Sequence, residues 1–141
     1  MTAVDDHALR RDAAESARRL VRQLLALLSW RDRLPDHLAQ VSDLGFHSMA
    51  GTDVPAIVRR LAVLRADLKA RDRTPREPST YRGGYRADLQ GVQAYCAQAA
   101  DGVDRLNVLD RTALDALRRL MADVAGTAAD LLDALDRLEC R

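Results

Sequence analysis

The last thirty residues constrain the chain most. Leu114, Leu117, Met121, Val124, Ala128, Leu131, Leu135 and Leu138 follow one another at steps of 3, 4, 3, 4, 3, 4 and 3. A buried stripe repeating near every 3.5 residues belongs to a helix packed along its length against other helices, at the shallow left-handed crossing of coiled coils. A strand would need a period of two. Thr112 and Asp115 form a weak capping box at the start of this helix.

The same steps recur upstream. Ala13, Ala17, Leu20, Leu24 and Leu27 mark a first helix from about Val4 to Arg33, with Val21, Leu25 and Leu28 widening its apolar stripe. Pro35 ends that helix and opens a short one, about Pro35 to Leu44, which Gly45 stops. Thr52 or Asp53 caps a third long helix, about Asp53 to Arg73, with Val54, Ile57, Leu61, Leu64 and Leu68 inside. A fourth, about Tyr85 to Leu106, carries Leu89, Val92, Cys96, Ala99 and Val103. Thr74 to Gly84, with Pro75, Pro78 and two glycines, reads as a flexible linker. The turn at Asn107–Arg111 is short, which makes the last two helices antiparallel neighbours. The expected fold is all-α: one domain over residues 1–141, an antiparallel bundle of four long amphipathic helices plus one short helix.

A chain of 141 residues is long enough to bury one core. Its aromatic content is 4%, so Leu, Ala and Val must fill that core, and they favour helix over strand. Every basic residue but Lys69 is arginine, and aspartate far outnumbers Glu15, Glu77 and Glu139. A GC-rich bacterial genome produces such a skew. Acid-first pairs at i,i+4 (Asp6–Arg10, Glu15–Arg19, Asp67–Arg71, Asp101–Arg105, Asp115–Arg119, Asp133–Arg137) describe solvated faces, each pair worth about 0.2–0.5 kcal/mol. Net charge is +1, giving no global pull toward nucleic acid or anionic membranes. The longest apolar run, Leu24 to Leu28, falls far short of the roughly 20 residues that span a bilayer. Met1 to Asp6 holds two acids and no signal-like apolar stretch, so a cytoplasmic location is expected.

The chemistry is sparse. His7, His37 and His47 lie apart, with no Glu-x-x-His spacing, and Cys96 and Cys140 are too few for a structural zinc site, so neither metal nor cofactor is expected. Gly45 to Gly51 has a serine between glycines, but Phe46 and Ala50 stand where a hydrolase elbow needs glycine. Asp43-Leu44-Gly45-Phe46-His47-Ser48-Met49 resembles the phosphopantetheine-attachment motif of carrier proteins, commonly L-G-G-[HD]-S-L. The resemblance covers seven residues and implies Ser48 as the attachment site at the start of an unbroken helix. Phe46 departs from the motif, and Gly51, Thr52 and Pro55 interrupt the helix that should follow.

Charge divides the chain. Asp53 to Arg86 holds nine basic residues against four acids, while Ala87 to Arg141 holds six against ten. Arg73, Arg76, Tyr81, Arg82, Tyr85 and Arg86 crowd around Gly83-Gly84, a combination suited to phosphate contact, base stacking and close backbone approach. The alternative sets the basic third helix against the acidic fifth. Trp30 is either a core anchor or an interface hot spot. The C-terminal seam is the inside of one bundle or a surface shared by two chains, and the second case makes Leu117, Met121, Val124, Leu131, Leu135 and Leu138 interface residues. The expected function is a non-enzymatic interaction or regulatory module, a homodimer presenting a helix face to a partner protein. A nucleotide- or nucleic-acid-contacting regulator is the first alternative. A carrier-like protein modified on Ser48, or a small bundle enzyme, is the second.

Overall fold

A computed structural model describes residues 3–69, 78–103 and 109–139, with side chains from 7–69, 85–103 and 109–138. The described residues form five helices: α1 (Ala3–Arg31), α2 (Asp36–Ala50), α3 (Val54–Lys69), α4 (Pro78–Val103) and α5 (Arg111–Glu139). None is long and apolar enough to cross a membrane.

The stepped apolar positions make the core. Ala13, Ala17, Leu20 and Leu24 of α1, all five stepped residues of α3, and Leu89, Val92, Cys96 and Val103 of α4 are buried in one cluster. From α5 the same cluster takes Leu117, Met121, Val124, Ala128, Leu131 and Leu135, with Leu114 and Leu138 half-buried beside it. Leu25 is the exception in α1: it is 48% exposed, so the stripe is narrower than the sequence suggests.

α1 lies between α3 and α5, α5 lies between α1 and α4, and α2 lies on α4, while α3 and α4 touch only slightly. Polar contacts set how these helices align. Arg10 near the start of α1 donates to the carbonyls of Asp67 (2.8 Å) and Leu68 (3.3 Å) at the end of α3. Arg86 in α4 pairs with Asp136 near the end of α5 at 2.5 Å. Arg60 of α3 meets the buried Asp88 of α4 at 2.7 Å. The other oxygen of Asp88 has no hydrogen-bond partner among the described residues.

Several boundaries differ from expectation. Gly45 does not stop α2. A helical glycine costs about 1 kcal/mol against alanine, and burial of the next residue, Phe46, offsets that cost. The stop is Gly51, left-handed at φ 76°, whose N–H donates to the His47 carbonyl at 2.8 Å. α4 begins at Pro78 rather than Tyr85, because proline fits the first turn of a helix. Residues 78–84 of the expected linker are therefore helical, and 74–77 lie outside the described residues. The cap of α5 is Asp110, accepting from the Ala113 N–H at 2.7 Å, and not Thr112. Asp53 caps α3 in the same way through Ala56, at 2.9 Å.

The surface pairs also shift. Asp133–Arg137 forms at 3.2 Å. Glu15 and Asp115 instead reach one residue less far, to Arg18 at 3.7 Å and Arg118 at 3.0 Å. Arg71 and Arg105 lie outside the described residues.

Candidate interaction site

The polar side of α2 holds it in place. Ser42 Oγ and the Tyr95 hydroxyl share a hydrogen bond of 2.5 Å across α2 and α4. Phe46 meets the Tyr95 ring edge-on, centroids 5.1 Å apart at 69°. Burial pushes the Tyr95 phenol above its ordinary value, against the opposing pull of the Ser42 hydrogen bond. Lower down, Gly91 of α4 admits the end of α2: a Cβ there would stand 2.5 Å from the Ala50 Cα. At the upper end, Arg31 grips Asp43 through Nε, at 2.8 and 2.9 Å to its two oxygens, and through Nη2, at 2.7 Å to Oδ2, and the pairing raises the Arg31 pKa further.

The opposite side of α2 is a ridge with a hollow on each flank. Val41 is 64% exposed and Leu44 71% exposed, one turn apart. On the Val41 flank a cavity of about 250 Å³ opens between α2, α4 and α5, lined by Leu38, Val41, Tyr95, Val103, Leu117 and Met121 among others, with no charged residue. On the Leu44 flank a cavity of about 450 Å³ opens between α1, α2 and α3, with Leu28, Phe46 and Val54 inside and Arg31, Asp43, His47 and Asp53 at its edge. In a chain with 30% charged residues, an exposed apolar ridge beside a charge-free hollow is poorly adapted to solvent.

The seam residues of α5 do not form a surface. Leu117, Met121, Val124, Leu131 and Leu135 are all at most 5% exposed within a single chain. Within one chain α1 and α4 already cover them. Leu138 is half-buried on the same core. Trp30 is also partly buried there, with the Arg33 guanidinium 4.1 Å from its ring centroid.

The Arg/Tyr/Gly cluster is only partly placed. Arg73 and Arg76 lie outside the described residues, and Tyr81 and Arg82 fall in the opening turns of α4. Tyr85 packs half-buried on the core, and Arg86 is held by Asp136. α3 packs against α1 and not substantially against α5, so its arginines are not set against the acidic helix.

Ser48 is exposed in the last turn of α2. The carrier resemblance places such a serine at the start of a helix, so the local setting is the reverse. Phe46 lines one hollow and Met121 the other, while Met49 packs beside Gly91.

Reactive chemistry is lacking at Cys96, where burial pushes the thiol up to about 12. Among the described residues, no three His, Cys, Asp or Glu side chains gather as metal ligands.

Known proteins supply no template. No family model, no curated protein and no solved structure matches this chain. Its surfaces therefore have to be read from their own chemistry.

Sequence reasoning missed the ridge because it ended α2 at Gly45. Continued to Ala50, the segment Leu38, Ala39, Val41, Leu44, Phe46 and Met49 has more apolar residues than one face can hold. That excess was the available signal.

Proposed function

We propose that this chain is a non-enzymatic helical interaction module that works as a homodimer, with the α2 ridge as its contact. The observation that carries the reading is the exposed Val41–Leu44 ridge lying directly beside an uncharged hollow. A twofold contact uses the same patch on both copies, so each copy must supply both the projection and the recess. This surface supplies both. Ridge-into-groove packing of two α2 helices would remove Val41 and Leu44 from water, at about 1.5–3 kcal/mol for each side chain fully buried.

Light scattering tests it. The protein at micromolar concentration should show about twice the 15.6 kDa of one chain. The variant Val41→Asp with Leu44→Asp should run as a monomer with unchanged helical circular dichroism. A wild-type monomer up to 100 μM, or a double variant that stays dimeric, would sink the reading.

A further inference from the structure

The hollow of about 250 Å³ between α2, α4 and α5 is walled by Leu34, Leu38, Val103, Leu117 and Met121, and no charged residue lines it. Small residues make the space. Gly45 and Gly102 bring no side chain to the lining, and a Cβ at Gly102 would meet nothing within 4 Å. Glycine weakens a helix relative to alanine, so both positions give up helix stability and keep the space open. In the ratio by which a ~150 Å³ cavity takes benzene, this volume suits a molecule of about ten non-hydrogen atoms.

The polar groups beside that space are few. Gln98 lines it and is exposed. Ser42 and Tyr95 also line it, and Tyr95 is only 8% exposed. Their two hydroxyls carry two hydrogens, and the bond that joins them uses one, whichever oxygen donates. Neither residue makes another hydrogen bond among the described residues. The pair therefore keeps one hydroxyl hydrogen without an acceptor. Such a hydrogen is costly to bury, and an oxygen on a ligand relieves the cost.

We infer that this hollow binds a small uncharged molecule, largely apolar and carrying one hydrogen-bond acceptor such as a carbonyl oxygen. A carboxylate or an ammonium group would lose hydration there and meet no opposite charge. The hollow is also the recess that a second chain's ridge would enter. Ligand and second chain then compete for one space, and the ligand becomes a dissociating signal. That competition rests on the proposed dimer, whereas the binding itself needs only one chain.

The probe is acetophenone, titrated into protein with carbon-13-labelled methionine methyl groups and followed by NMR. Met121 lines the hollow, and Met49, beside Gly91, lies outside it. The Met121 methyl should shift saturably with a dissociation constant below about 1 mM, while the Met49 methyl stays in place. Benzoate, of the same shape but charged, should bind about tenfold more weakly. Ser42→Ala with Tyr95→Phe removes both hydroxyls together and leaves no orphaned partner, so the fold should persist. This double variant should weaken acetophenone about fivefold and leave α-methylstyrene, its analogue without the oxygen, within about twofold. Gly102→Leu fills the hollow without a clash and should weaken both about tenfold. Leu44→Asp keeps every lining residue and removes the tip of the ridge, so it should bind at least as well as the wild type. Saturating acetophenone should also lower the mass of the wild-type dimer toward that of one chain. No saturable Met121 shift in either wild type or Leu44→Asp, equal binding of benzoate, or wild-type affinity in the double or Gly102 variant would overturn the site. A dimer that keeps its mass at saturation would overturn the competition alone. The mass of the unliganded protein judges the dimer by itself, so the two readings fail separately.

Discussion

Cys96 shows at the scale of one residue how burial becomes a measurable property. Its place in the stepped pattern of the fourth helix marked it as interior, and it is 2% exposed. Loss of hydration there destabilises the thiolate, which lifts the thiol from 9.0 to about 12. An unfolded chain releases that proton near pH 9, and the folded chain holds it until about pH 12. Stability from this group is therefore complete below pH 9 and falls as pH rises from 9 toward 12. Tyr95, raised mainly by burial, acts in the same direction from its ordinary 10.0. The urea midpoint should be flat from pH 7 to 8.5 and decline above 9, with a shallower decline in Cys96→Ala. A midpoint unchanged to pH 10.5 would show that the thiol is not held in a dry site. Tyr95 itself was not legible in advance. Its partners Ser42 and Phe46 lie on α2, and only the packing of α2 on α4 reveals them.

At the scale of the element, local signals located every helix and misplaced some ends. Asp53 was readable as a cap because the residue type, a following proline and the apolar steps agreed. Two glycines six residues apart offered two stops for α2, and propensity alone selects the first. Tertiary packing selects the second, because stopping at Gly45 would leave Phe46 without its place against Tyr95. The two glycines should then respond in opposite ways. Gly51 sits at φ 76° with open space around it, so Gly51→Ala meets only backbone strain and should cost about 1 kcal/mol. Gly45 lies within the helix, and a Cβ there would meet Tyr95 Cε1 at an ordinary 3.8 Å. Gly45→Ala should therefore raise stability by about 0.4–1 kcal/mol. Chemical denaturation of the two variants reads the difference directly; equal effects of the same sign would place the end of α2 elsewhere. The opening of α4 was hidden for a related reason. Gly83-Gly84 and Pro78 read as a break, yet proline at a first turn and glycine within a packed helix are both tolerated.

The whole molecule separates two meanings of a heptad pattern that one helix cannot distinguish. A seam of Leu, Val, Ala and Met describes equally the core of one chain and the interface of two. Within one chain α1 and α4 flank α5 and leave Leu131 fully buried and Leu135 at 2% exposure. The surface proposed above for association is the α2 ridge, which no long-range periodicity announces. Stability and association should consequently be separable by mutation. Leu131→Ala removes buried volume from the core and should cost about 2–5 kcal/mol. In a chain of this size each kcal/mol lowers the melting temperature by roughly 2–8 °C. The same variant should leave the dissociation constant of the proposed dimer unchanged at temperatures where the protein is folded. Leu44→Ala should do the reverse, shifting the dissociation constant while moving the melting temperature of the dilute protein by little, because Leu44 is 71% exposed within one chain. Melting over a hundredfold range of concentration, combined with sedimentation, measures both quantities on the same samples. If Leu131→Ala weakened association as strongly as it weakened folding, α5 would have to lie between two chains, and the bundle would be completed only in the dimer.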